Sequence, residues 1–249
     1  MRLRVLTYNI HRAIGVDRKF MPERIFAILR RYDADVVLLQ EVDVGMPRSR
    51  LMNLAAHFAH ELGYAHRAVG LNVFYKRGKY GNATLSHFPI GRQSNIDLTL
   101  GSRKGRGAQH TRIRLPKGKH PTTLDVFNVH LSLSATLRAK QVRHLLRSDD
   151  ITRLAPSDPC LIAGDMNDWR GLLKRLRFTP AGFKCATEQR PGSRWAIKTY
   201  PSFAPTGGLD KVFYRGPLRP VHVYRSRLAL ARVASDHLPV IADFELTTP

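Results

Sequence analysis

Eleven short runs rich in apolar and β-forming residues recur along this chain, each four to eight residues long and separated by glycine, proline or charged segments. They predict strands over 3–10, 36–40, 65–71, 82–87, 93–100, 108–115, 123–130, 159–163, 211–214, 221–224 and 238–244. Helical periodicity is confined to 22–31, 51–62, 136–154 and a short stretch at 172–176. The first of these opens on Pro22 and places Ile25, Ile28 and Leu29 on one face. Helices thus punctuate strands without the regular alternation of a doubly wound sheet, and the pattern points to a mixed β-sandwich covered by helices.

At 249 residues and 43% hydrophobic, the chain is long enough for one large core. No internal repeat or linker divides it, so a single domain over 1–249 is expected. No run of about 18 apolar residues occurs, and MRLRVLTYNI reads as a strand rather than as an export signal. The two cysteines, Cys160 and Cys185, can form at most one bridge, and Cys160 sits in an apolar run where a thiol behaves as a small hydrophobe. A reducing, cytoplasmic setting is expected, as are a monomer and no obligate protein partner.

Lysine and arginine number 41 against 19 acids, a formal net charge of +22. That excess raises the local concentration of polyanions whatever the fold, so nucleic acid, an anionic membrane surface and small phosphate esters are candidate partners. Solubility alone is the competing explanation. Two basic loops stand out, GSRKGRG at 101–107 and KGKH at 117–120. The glycines of the first let a backbone approach a ligand closely, whereas the second reads as a solvated hairpin tip.

Several apolar runs end on residues that a buried strand does not need. Asn9, Glu41 and His130 follow three of them; Asp165 and Asn167 close LIAGDMNDW; Asp236 and His237 precede LPVIADFEL. Each alone is explained by a turn, an ion pair or a satisfied histidine. Together they set three carboxylates, two amides and two imidazoles at the ends of rigid elements, where a convergent site is built. Glu41, Asp165, Asp236, Asn9 and Asn167 offer oxygen atoms, which suit Mg²⁺ or Mn²⁺ better than zinc, and neither cysteine is in the set. Magnesium shares its coordination with substrate phosphate, so a phosphate ester is the expected substrate. Asp165 can orient and deprotonate water, while a histidine protonated near neutral pH can bind the charged oxygens.

The ordered set Asn9, Glu41, His130, Asp165-x-Asn167, Asp210 and Asp236-His237 resembles the endonuclease/exonuclease/phosphatase superfamily. The motifs are TYNIH, LLQEV, GNATLSHFPI, NVHLS, AGDMNDW, GLDKVFY and SDHLPV, spread over residues 3 to 243. The resemblance implies an α/β fold of four layers, two mixed sheets packed face to face with helices outside and the site at one rim. It implies Glu41 as the principal carboxylate for Mg²⁺ (or Mn²⁺), with Asn9 and Asp236 nearby. Asp165 would handle the water, Asn167 a phosphate oxygen or a second metal, and His237 the scissile phosphate. Asp210 would orient His237, and His130 would contact phosphate or assist the leaving group. Asn82, in GNATLSHFPI, is a further substrate-binding candidate; beyond the shared motifs, Arg48, Arg50 and Arg106 are candidates for phosphate contacts.

Departures narrow the class. Inositol polyphosphate phosphatases carry a tryptophan-cysteine-aspartate-arginine motif where this chain reads TGGLDKVFY, and abasic-site endonucleases show tryptophan-arginine where Gly207-Gly208 stand. Lys211 replaces a frequent tyrosine, which bears on substrate choice, and Met166 replaces a common phenylalanine. Asp168 has no role in the pattern beyond capping a helix, and Trp169 and Trp195 either stack a base or sugar or pack structurally. The leading expectation is a metal-dependent phosphodiesterase acting on nucleic acid. The alternatives are a phospholipid-headgroup or small phosphate-ester hydrolase and a non-catalytic polyanion-binding module.

Overall fold

The computed structural model describes residues 1–116, 122–190, 192–193 and 195–247. The basic loop at 117–120 lies outside the described residues. Twelve strands form: β1 (Arg2–Asn9), β2 (Val36–Val44), β3 (His66–Phe74), β4 (Lys79–Ser86), β5 (Ile90–Asp97), β6 (Gly107–Leu115), β7 (Thr122–His130), β8 (Cys160–Asp165), β9 (Lys184–Cys185), β10 (Asp210–Arg215), β11 (Leu218–Arg225) and β12 (Val240–Leu246). They make two six-stranded sheets, ordered β11-β12-β1-β2-β4-β3 and β5-β6-β7-β8-β10-β9. Both are mixed, because β1 pairs β2 and β7 pairs β8 in parallel while the other ladders are antiparallel.

In the central strands β1, β2, β7 and β8 the apolar runs are continuous because both faces are covered, and period-two alternation divides each run between two cores, whereas most residues of the edge strands β5 and β11 are exposed or half-buried. Leu3, Val5, Val36 and Leu38 meet Leu124, Val126, Leu161, Ala163 and Val212 between the sheets. Their sequence neighbours Leu6, Val37 and Leu39 face outward, onto Ile25 and Ile28 of α1 (Pro22–Tyr32), Phe58 of α2 (Leu54–Glu61) and Ala231 of α5 (Ala231–Ala234). On the far side Phe127, Ile162 and Phe213 pack against Val142 and Leu145 of α3 (Ala135–Leu146) and Ile151 of α4 (Asp149–Thr152). Helix, sheet, sheet and helix are the four layers that the resemblance implied. No helix among the described residues is long and apolar enough to cross a membrane.

The helices differ from their sequence periods where polar residues intervene. The run at 136–154 breaks because Ser148 donates its hydroxyl to Leu145 O, and Asp149 and Asp150 then start a new turn. At 51–62 the helix begins only after Asn53, whose side chain accepts the Ala56 N–H at 3.1 Å. The stretch at 172–176 ends in one wide turn, with Thr179 N–H on Lys174 O. Two elements, β9 and α5, are too short to leave a periodic signal.

At one end of the sandwich the inner face turns polar. Gln40 Nε2 donates to Thr7 Oγ1 and to Asn128 Oδ1; Asn128 Nδ2 reaches Leu39 O and Ala83 O; Thr84 Oγ1 donates to Gln109. Directional hydrogen bonds between buried amides and hydroxyls fix the register of two sheets, whereas an apolar contact permits sliding; Gln40 Oε1 and Gln109 Nε2 stay without a hydrogen-bond partner among the described residues. The rim directly beyond this polar layer carries the site.

Candidate active site

Asn9, His130 and Asp165 occupy the last positions of β1, β7 and β8, and Asp210 opens β10 opposite Asp165 in the ladder. They share the parity of the inner-core residues before them, so their side chains gather between the sheets. Two backbone features complete the rim. Gly164 has φ +139°, and a Cβ there would lie 2.0 Å from Val129 O, so only glycine lets β8 approach β7 this closely. Glu41 sits in a bulge, where the β2–β4 register jumps between Leu39 and Val42, and its φ of +59° re-aims a side chain that alternation would send outward.

Asp165 is the hub. One carboxylate oxygen accepts Asn167 N–H at 2.9 Å; the other accepts Asn9 Nδ2 at 3.1 Å and lies 3.4 Å from His130 Nε2 and 3.7 Å from His237 Nε2. Burial and the nearby Asp210 carboxylate outweigh the cationic His237 and the two donors, raising its pKa to about 6. His237 Nδ1 lies 2.9 Å from Asp210 Oδ2, which also accepts the Thr199 hydroxyl. Burial would lower the imidazole pKa, but Asp210 and Asp165 more than offset it and push it up to about 10. His130 is the opposite case: burial, reinforced by Arg106, lowers it to about 3, so its ring is neutral at neutral pH. The two histidines, alike in sequence, hold different charges.

Glu41 is set apart from this cluster. Burial works to raise its pKa, but His130, Arg12 and His11 reverse this and hold it at about 2; with His130 neutral, Arg12 at 3.3 Å is the lasting cation. Its Oε2 is nevertheless buried without a hydrogen-bond donor, as is Asp210 Oδ1. Carboxylate oxygens left without donors are what a hard divalent cation satisfies, so the donor set fits Mg²⁺ or Mn²⁺. Among the described residues, the carboxylate and imidazole atoms that lie within 4.8 Å of one another belong to Asp165, Asp210 and His237. Of the expected metal group, Asn9 Oδ1 already accepts His11 N–H at 3.1 Å, and Asp236 is half-buried beside Ser235. Among the described residues, no hydrogen bond or ion pair joins Asp236 to Glu41.

The remaining candidates separate cleanly. Asn167 (φ +50°) donates Nδ2 to Leu131 O and stays beside Asp165. Arg106 is almost buried, and its charge is felt at both His130 and Tyr80. Arg48 and Asn82, expected as substrate contacts, have partners within the chain. Both arms of Arg48 lie 2.8 Å from the fully buried Asp43 carboxylate, and Asn82 Nδ2 donates to the carbonyls of Gly107 and Asn128, stitching the sheets. Arg50 lies over the Phe20 ring. Lys211, placed by sequence near the substrate, is buried with its ammonium on the Asp168 carboxylate and carbonyl, and Asp168 also caps the N–H groups of Leu172 and Leu173.

Sequence reading passed over Arg12, Thr199 and Tyr80, and it named the loop that holds Lys104 without singling out the lysine itself. His11, Arg12 and Ala13 have successive φ values of +45°, +62° and +60°, a left-handed turn that ordinary side chains resist, and it delivers Arg12 to Glu41. Tyr80 precedes the GNATLSHFPI motif by one residue and places its ring 4.9 Å under Lys104. Thr199 carries no local signal at all.

The chain is similar to known proteins over nearly its whole length. YbhP of Escherichia coli (strain K12), itself uncharacterized, is 29% identical over 252 residues, which cover 98% of this chain and 96% of YbhP. In fold, a Beutenbergia cavernae endonuclease/exonuclease/phosphatase matches with a TM-score of 0.80 at 24% identity, over 98% of this chain and 72% of that one. D. rerio TDP2, solved in complex with a single strand DNA product, matches with a TM-score of 0.72 at 18% identity, over 98% and 99% of the two chains. The model of the Endonuclease/Exonuclease/phosphatase family matches residues 6–237, and the chain belongs to that family.

Proposed function

We propose that the protein is a Mg²⁺- or Mn²⁺-dependent phosphodiesterase that hydrolyses nucleic acid. The observation that carries the reading is Asp165, a carboxylate with a pKa of about 6 beside one cationic and one neutral imidazole. Above that pH it is an anion able to take a proton from water at the rim of the sandwich, as general-base catalysis requires. The oxygen of that water attacks phosphorus and the ester bond to the leaving oxygen breaks. His237 Nε2 carries the charge that stabilises the non-bridging oxygens, and Asp210 fixes the ring by its hydrogen bond to Nδ1. His130, neutral, is a hydrogen-bonding group rather than a charge. Glu41 and Asn9 would hold the divalent ion, which supplies Lewis-acid polarisation of the phosphoryl oxygens when bound.

Nucleic acid is favoured over a small ester by the net charge of +22 and by the likeness of the fold to a protein solved with DNA. The test is hydrolysis of DNA, RNA, bis-p-nitrophenyl phosphate and phospholipids with Mg²⁺ or Mn²⁺, with Asp165→Asn as the blank. Metal-dependent cleavage of DNA or RNA is expected. Release of a lipid headgroup with both polymers intact would transfer the activity to membranes, and no turnover of any ester would leave a binding module.

A further inference from the structure

Beside the catalytic cluster lies a cavity of about 320 Å³ that none of these roles uses. Asp210 faces the space between the sheets, but Lys211, next along β10, shares the outward parity of Phe213, and it lines the cavity together with Asp168. The other lining residues include Trp169, Gln189, Trp195 and Lys198. Trp169 is seated on Gly207, where a Cβ would come within 2.7 Å of the ring. Its indole meets Tyr200 edge-on at 5.6 Å, and Tyr200 lies 5.0 Å from His237. Two successive ring contacts therefore join the cavity to the imidazole that faces phosphate. Both indoles remain about half exposed, at 46% and 45%. Large aromatic surface left at the wall of a cavity is surface that a planar ligand can cover.

We propose that this cavity receives the base of the nucleotide next to the scissile phosphate, an inference that rests on the nucleic-acid reading above. Stacking on an indole is available to any base because every base has a π-face. The ammonium of Lys198 and the amide of Gln189 suit the carbonyls and ring nitrogens at a base edge. An acyl chain would leave these polar groups without partners, so a flat heterocycle fits the lining better. The Asp168–Lys211 pair satisfies its own charges and holds the turn that presents Trp169.

Trp169 and Trp195 are the chain's two tryptophans, so tryptophan fluorescence, excited where the eight tyrosines do not absorb, reports on this cavity. Asp165→Asn protein in Mg²⁺ is titrated with thymidine 5′-monophosphate and with ribose 5-phosphate. Saturable quenching by the nucleotide is expected at concentrations at least about tenfold below any response to the sugar phosphate, a ratio of about 1.4 kcal/mol. Equal responses, or none, overturn the proposal. In parallel, the native chain and Trp195→Ala are compared on an oligonucleotide with a single scissile position and on versions with an abasic residue on either side of it. On one side, loss of the base is expected to lower kcat/KM about tenfold for the native chain and to have no effect on the variant. Indifference to the base in both proteins overturns the subsite while the nuclease reading stands. No cleavage, with nucleotide-specific quenching retained, removes the nuclease reading and leaves the subsite. The fluorescence arm keeps both indoles and does not depend on how Trp195→Ala folds.

Discussion

Replacing Asp210 by asparagine keeps an acceptor for His237 Nδ1 and Thr199 Oγ1 but removes the charge. In the native chain the His237 pKa stands at about 10, against an ordinary 6.5, because Asp210 first and Asp165 second outweigh the burial that opposes them. At 1.36 kcal/mol for each tenfold change in acidity, that elevation is worth about 5 kcal/mol in favour of the imidazolium. With Asp210 neutral, only Asp165 and, more weakly, Asp236 oppose burial, and the imidazole is expected to titrate well below 10. The folded value lies above the unfolded one, so the native pair stabilises fully below pH 6.5 and its contribution drains away as pH rises towards 10. Two measurements on metal-free protein follow: the histidine Cε1–H resonances across pH, and urea unfolding at pH 6 and pH 10. The native chain should show one histidine titrating near 10 and a marked loss of stability between the two pH values, both absent from Asp210→Asn. A native His237 that titrates near 6.5, or a variant that still titrates near 10, refutes the reasoning.

Three further substitutions probe the frame. Lys211→Met leaves the buried Asp168 carboxylate without its cation and is expected to cost about 3 kcal/mol in urea unfolding, with more than half regained by adding Asp168→Asn. Gly164→Ala forces a Cβ onto Val129 O at a positive φ, and a loss of about 3 kcal/mol or more is expected by thermal melting. Arg48→Ala uncovers Asp43 and should cost about 2 kcal/mol of stability while leaving kcat/KM per folded molecule within about twofold. A higher KM with unchanged stability would return Arg48 to a direct substrate contact.

The apolar runs of the central strands were legible because strands covered on both faces need no polar residue until they reach the rim. That same reason makes Asn9, His130 and Asp165 readable, each the first polar inner-face departure at the end of a run or one step beyond a polar stitch. What sequence could not show was curvature and charge state. Nothing in LLQEV announces the bulge that turns Glu41 inward, and nothing in TYNIHRA announces three left-handed residues that bring Arg12 beside it. His130 and His237 look equivalent as letters; burial, reinforced by the Arg106 charge, makes the first neutral, whereas Asp210 and Asp165 outweigh burial and make the second cationic. Nor could sequence show that Arg48 pairs with Asp43, or that Asn82 of the GNATLSHFPI motif donates to two backbone carbonyls.

The most direct measurement is single-turnover cleavage of a labelled DNA oligonucleotide in Mg²⁺ by the native chain and by Asp165→Asn, with binding of the same oligonucleotide followed in parallel. A general base contributes about 10²- to 10⁴-fold, so the variant should cleave about a thousandfold more slowly while its affinity changes by less than about threefold. Cleavage by Asp165→Asn at more than about a tenth of the native rate, or native cleavage that survives metal chelation, contradicts the account.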